Sequence, residues 1–193
     1  MVEGLANRWA DYMIENGADR EQRAVYVYGL ICFMNELSSS ILLLVIALPI
    51  NRVWQIVVWM IVFDMLRLNI GGYHADTPGW CITESTFTGI LCTLVYPLFD
   101  KGTVFTCLIG AICIIIVFRI SPVLNQKHPL SEKRQRRARG LARTLIIFYS
   151  LLAAIIVPLN HELAAMISVS MASVCILGLL GHLKSKYVTK LCG

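Results

Sequence analysis

The sequence predicts an all-α, polytopic membrane protein, with about six transmembrane helices behind an N-terminal interfacial amphipathic helix. Three observations predict it. Of 193 residues, 57% are hydrophobic and 15% charged, with a mean hydropathy of +0.68, whereas soluble domains run nearer half apolar and a quarter charged. Apolar windows of roughly spanning length recur, with turn signals between them. The basic residues also fall almost entirely on one side of the topology those windows imply.

The first element is residues 1–18. Leu5, Trp9, Tyr12 and Met13 fall on one helical face, Asn7, Arg8, Asp11 and Glu15 on the other, and Gly17 suits a C-cap. This pattern reads as an interfacial amphipathic helix; an ordinary packed helix has the same pattern. The acids and the absence of a continuous apolar stretch exclude a signal peptide, so the first long apolar run is expected to stay in the mature chain.

Six windows approach the roughly 20 apolar residues that a crossing needs. They are Val25–Ile50, Val53–Ile70, Ile82–Phe99, Thr103–Ile120, Leu141–Leu159 and Leu163–Gly181. Pro49 with Asn51, Gly71-Gly72, Asp100-Lys101-Gly102, and Pro158 with Asn160 mark turns, and the last two pairs of windows read as tight hairpins. The second and third are the short ones. No room is left for a separate soluble domain, so residues 1–193 are expected to form one integral membrane unit.

Charge orients the spans. With both termini and the second and fourth loops on the cytoplasmic side, fifteen Lys and Arg lie there and only Arg52 and Lys101 lie opposite. That is a strong positive-inside bias. It places the loop within residues 67–85, RLNIGGYHADTPGWCITES, on the cytoplasmic side.

Most chemistry is expected in this loop. Gly71-Gly72 permits a sharp exit from a helix, and Thr77-Pro78 reads as N-cap and first residue of the next one. Cys81 then falls in that helix's first turn, where the helix dipole and a nearby imidazolium favour thiolate. His74 is a general base near neutral pH, and a chain reversal at Ala75–Gly79 would bring it to Cys81. A wet loop histidine with a packing thiol is the equally weighted alternative from spacing alone. Asp76 and Glu84 are candidates to orient His74, or a surface acid and a cap. Arg67 either assists substrate binding or pairs with Asp64 at i,i+3.

The other six of the seven cysteines lie in apolar runs or at the C-terminus, with no CxxC pair. Neither a disulfide framework nor a zinc site is suggested, and no cofactor, metal or nucleic-acid partner is expected.

The stretch GGYHADTPGWC, with Arg67 before it and a basic segment after it, resembles the AgrB family of membrane-embedded cysteine endopeptidases. The resemblance covers nearly the whole chain. It implies that His74 and Cys81 are the catalytic pair and that Arg67, Gly72 and Pro78 support them. It further implies an AgrD-type propeptide with an acidic C-terminal tail as substrate, a thiolactone- or lactone-closed quorum-sensing peptide as product, a Gram-positive cell membrane, and a homodimer.

The segment 121–143 is expected as a basic cytoplasmic loop, with seven basic residues against one acid between Lys127 and Arg143. Topology and anionic lipid suffice to explain it. The resemblance adds Lys133, Arg134, Arg136 and Arg137 as a dock for an acidic tail. Glu36 lies well inside the first window, where an acid needs a partner. Two rival readings are a small peptide transporter, with Glu36, Asp64 and Arg67 lining a polar path, and a non-catalytic scaffold. No convincing internal repeat supports the transporter.

Overall fold

The computed structural model describes residues 2–71, 78–123 and 132–192, with side chains for 2–71, 80, 82–123 and 132–184. Seven α-helices account for nearly all of it: α1 Val2–Glu15, α2 Arg23–Ala47, α3 Val53–Ile70, α4 Pro78–Val95, α5 Thr103–Ile120, α6 Glu132–Ile156 and α7 His161–Cys192. No strand occurs among the described residues. Six segments are long and apolar enough to cross a membrane: Arg20–Ala47, Val53–Ile70, Ile82–Phe99, Thr103–Ile120, Glu132–Ile156 and His161–Lys184. Three of these match the expected windows to the residue.

Local sequence chemistry sets the ends. Helix α1 closes in a Schellman motif: Gly17 adopts φ 97°, and the amides of Gly17 and Ala18 donate to Ile14 O and Met13 O at 3.1 and 3.0 Å. Asp19 then caps a 3₁₀ turn at Arg20–Gln22 by accepting from the Glu21 amide at 2.9 Å. The chain doubles back, so that α1 lies antiparallel along α2 with Ala6 and Ala10 buried. Arg23 holds the pair with two bonds to Asp11, at 2.7 and 3.1 Å, and keeps that carboxyl below its ordinary pKa. Leu5, Trp9, Tyr12 and Met13 remain exposed on the face expected to be apolar.

Pro97 divides the third span. It lacks the amide that an α-helix needs, so α4 stops at Val95 and Tyr96–Phe99 continues as 3₁₀. The turns at this end are stapled by side chains. Arg52 donates to the Tyr96 hydroxyl at 2.7 Å, and His161 lies 3.4 Å from Asp100. His161, the first residue of α7, thereby joins two connections.

Helix α7 is the axis of the bundle. Every residue from Ala164 to Met171 is buried, and α3, α4, α5 and α6 all pack on it. Ser168, Ser170 and Ser173 donate to the carbonyls of Ala164, Met166 and Ser170 at 2.6–2.8 Å, satisfying their hydroxyls inside the helix. The remaining core is apolar, including Leu43, Ile56, Trp59, Phe63 and Ile146. Cys32, Cys92, Cys107, Cys113 and Cys175 are free thiols, of which Cys92, Cys113 and Cys175 are buried in the packing and Cys107 is exposed.

At the opposite end, α3 and α5 are clipped together. The Val123 amide donates to Ile70 O at 2.8 Å, and Gly71 forms an isolated parallel bridge with Val123. Gly71 has φ 72°, and a Cβ there would lie 2.5 Å from the Val123 carbonyl oxygen. Glycine is demanded twice, by dihedral and by space. Gly71→Ala is expected to cost about 1–3 kcal/mol, seen as a lower melting temperature in detergent. Gly140→Ala, with nothing within 4 Å of the new methyl, is the control and should be neutral or slightly stabilising.

Candidate active site

Helix α3 runs to Ile70 and α4 starts at Pro78. The connection expected over 67–85 is therefore shorter: Arg67 and Glu84 are helical residues, because the apolar periodicity on both flanks outweighs the polar composition. Gly72, His74 and Asp76 lie outside the described residues. Pro78 is the first residue of α4, as its fixed φ and missing amide favour. Cys81 is the fourth residue of that helix, in its first turn, as expected; its side chain is outside the described set.

One turn further into α4, the chain becomes strongly ionic. Glu84 faces both Arg67 of α3 and Lys184 of α7. Arg67 is buried, at 9% exposure, with its guanidinium 5.2 Å from the centre of the Phe63 ring. Asp64, one turn before it on α3, lies in the electrostatic surroundings of both Arg67 and Glu36 of α2. Among the described residues, five ionisable side chains from four helices thus lie in one region of the bundle. Lipid provides no solvation for such groups, so they pair across helices.

The cluster answers three questions that the sequence left open. Glu36 lies in the electrostatic surroundings of Asp64, itself an acid. The expected i,i+3 neighbour of Arg67, also Asp64, is nearby but shares the guanidinium's surroundings with Glu84. Glu84 lies in the field of two cations one turn beyond Cys81, and His74, which it was a candidate to orient, falls outside the described residues. Lys184 was missed; it looked like one more interfacial cation, and only the packing of α7 against α4 brings it to Glu84.

Between this cluster and the far end of the bundle, the core closes. Leu43, Ile56 and Trp59 are at most 1% exposed, and a Cβ on Gly89 of α4 would sit 2.9 Å from Leu43 Cδ2 and 3.1 Å from Trp59. Among the described residues, the core beyond the polar groups is thus apolar and tightly packed. An open groove of about 520 Å³ between α1 and α2, lined by Leu5, Arg8, Met34 and Ser38, lies apart from the cluster.

The basic segment differs from its expected form. Residues 132–143 are the first three turns of α6 rather than loop, because Lys, Arg, Gln and Ala are strong helix formers. Lys133, Arg134, Arg136 and Arg137 are all exposed and cover about 160° of the helix circumference at 100° per residue. Glu132 and Arg136 make an exposed i,i+4 pair at 3.7 Å. The opposite stripe, Ala142, Ile146, Tyr149 and Ala153, is buried in the bundle.

These features define a class: a small multi-pass helical membrane protein with ionisable side chains from four helices gathered near the α3–α4 connection and a basic first stretch of α6. The chain belongs to the AgrB family, whose sequence profile, described as accessory gene regulator B, matches residues 6–179. It is 24% identical over 155 residues to an AgrB-like protein of Clostridium beijerinckii, covering 77% of this chain and 78% of that one. No solved structure matches it. Membership supports a part in agr quorum-sensing propeptide processing and implies an AgrD-type propeptide as partner.

The electrostatic attraction between Glu84 and Lys184 links α4 to the bundle axis. In a double-mutant cycle of Glu84→Gln and Lys184→Met, the coupling in detergent stability should be about 1 kcal/mol. Strict additivity would show that the two side chains do not interact.

Proposed function

We infer that the protein is a membrane cysteine endopeptidase that removes the C-terminal tail of an AgrD-type propeptide and promotes its cyclisation. The observation that carries this reading is the position of Cys81 in the first turn of α4, one turn before Glu84, which lies in the field of Arg67 and Lys184. Family membership supports the substrate class.

In this mechanism His74 takes the proton from Cys81, and the thiolate attacks the scissile carbonyl. First-turn amides of α4 are the source of oxyanion stabilisation. His74 returns the proton to the departing tail amine, leaving the propeptide as a thioester on Cys81. A cysteine thiol or serine hydroxyl within the propeptide then gives its proton to His74 and attacks the thioester. This expels the Cys81 thiolate and closes a thiolactone or lactone. Holding the nucleophile within the bound propeptide supplies effective concentration. A site buried at the membrane would limit water, which would otherwise hydrolyse the intermediate. The positive-inside bias favours a cytoplasmic site in a Gram-positive cell membrane, and residues 1–193 act as one peptidase unit, as a homodimer.

A transporter is the second reading, favoured by the meeting of Glu36, Asp64 and Arg67. The packed core of Leu43, Ile56 and Trp59 weighs against it. Flux that survives Cys81→Ser would support transport.

The central test is tail release from the cognate propeptide. Cys81→Ala and His74→Ala should each lower it by roughly 10³-fold or more, and Cys81→Ser should be severely impaired. Full cleavage by Cys81→Ala would overturn the proposal. For the basic helix, changing Lys133, Arg134, Arg136 and Arg137 to Gln should raise KM for an acidic-tailed propeptide about tenfold at low salt and less at high salt. Unchanged kinetics would leave these residues a lipid-facing role alone.

A further inference from the structure

We propose that Asn35 is a substrate-binding residue, whose side-chain carboxamide takes a peptide group of the bound propeptide at the depth of Cys81. This assignment rests on the peptidase reading, which puts the scissile bond at Cys81. Asn35 lies inside the first span and is 8% exposed. It begins the buried stripe of α2, which continues with Ser39, Leu43 and Ala47, and no residue of α2 before it is buried. Asn35 therefore stands where this face of α2 enters the bundle, at the end that carries the α3–α4 connection. Successive spans alternate in direction, so α2 and α4 run parallel, and the two helices pack together. Gly89 sets their register, because a Cβ there would lie 2.9 Å from Leu43 Cδ2. Eight residues before Leu43 is Asn35, and eight before Gly89 is Cys81. At 1.5 Å per residue each step is about 12 Å, so the backbones of Asn35 and Cys81 are level. Ser39 and Ser85, both 2% exposed, occupy the turn between.

The hydrogen bonding of Asn35 is incomplete. Among the described residues, no donor reaches its buried Oδ1. The nearest hydroxyl on the same stripe, that of Ser39, donates to Glu36 O at 2.9 Å. A polar side chain inside a membrane span is costly to leave unbonded, so its partner is expected from outside the bundle. A carboxamide oxygen accepts and its nitrogen donates, which is the complement of the N–H and C=O of one peptide group. Being neutral, the group suits the propeptide backbone beside the scissile bond rather than an acidic tail. The orphaned oxygen weakens the free protein, and a bound peptide group removes that weakness.

Binding is measured on the full chain in detergent, in the Cys81→Ala background, with the cognate propeptide carrying a fluorophore. Adding Asn35→Leu, similar in volume but without polar atoms, should raise Kd about tenfold or more. The same change should raise the melting temperature of the propeptide-free protein by about 2–4 °C, whereas replacing an asparagine that only supports the fold would lower it. Ser39→Ala, on the same stripe but losing a hydroxyl already bonded within its own helix, should bind like the parent. An unchanged Kd for Asn35→Leu overturns the proposal. So does an Asn35→Leu protein that melts lower or does not fold, which makes the residue structural, or an equal loss of affinity in Ser39→Ala. Tail release by Cys81→Ala is a separate readout, and it overturns the peptidase reading itself.

Discussion

An ionic side chain placed among lipid-facing helices must find its counter-charge on another helix, and most of this structure follows from that requirement. Arg67, Glu84, Lys184, Asp64 and Glu36 come from four helices that share few other polar contacts. Each charge is tolerable only where the others are. Their meeting point therefore specifies the depth and rotation of α2, α3, α4 and α7 against one another, which apolar packing alone defines loosely because leucine in lipid and leucine in protein differ little in free energy. The rest of the core accommodates this arrangement: α7 uses serine, alanine and glycine to admit close neighbours, and its hydroxyls are satisfied within the helix.

The spans were legible because hydropathy and length are local properties. Thr103–Ile120 and Val53–Ile70 could be delimited from the chain by their apolar runs and the glycines or charges that end them. Helix ends with a chemical signature were legible too, such as Gly17 with its left-handed φ and Pro78 at a first helical position. Composition misled where it competed with helix propensity. Lys133 to Arg143 looked like loop because its charge excludes it from lipid, yet those residues form helix readily once outside the hydrocarbon. Pro97 acted within a single turn, and its effect on α4 was hidden by the apolar residues around it.

Pairings between distant helices were not legible. Glu36 announced that it needed a partner, but its neighbour Asp64 became identifiable only from the packing of α2 against α3, and Lys184 only from the course of α7. Gly71 is a similar case. Its glycine identity suggested a turn, while the reason for it is the Val123 carbonyl, carried in by α5 from fifty residues away. Residue type told which groups were candidates for chemistry; tertiary register told which of them act together.

The clip at Gly71 and the ionic cluster also bear on the proposed chemistry. The end of α3 is held from the α5 side by the bond between Val123 and Ile70, and Glu84 of α4 lies in the field of Lys184 on α7. In the proposed mechanism this matters most for the thioester, which must survive long enough for an internal nucleophile to reach it. A helix start anchored one turn below the acyl-bearing residue keeps that carbon at a constant position relative to the first-turn amides, while the propeptide rearranges. The packed core of Leu43, Ile56 and Trp59 closes the bundle beyond it.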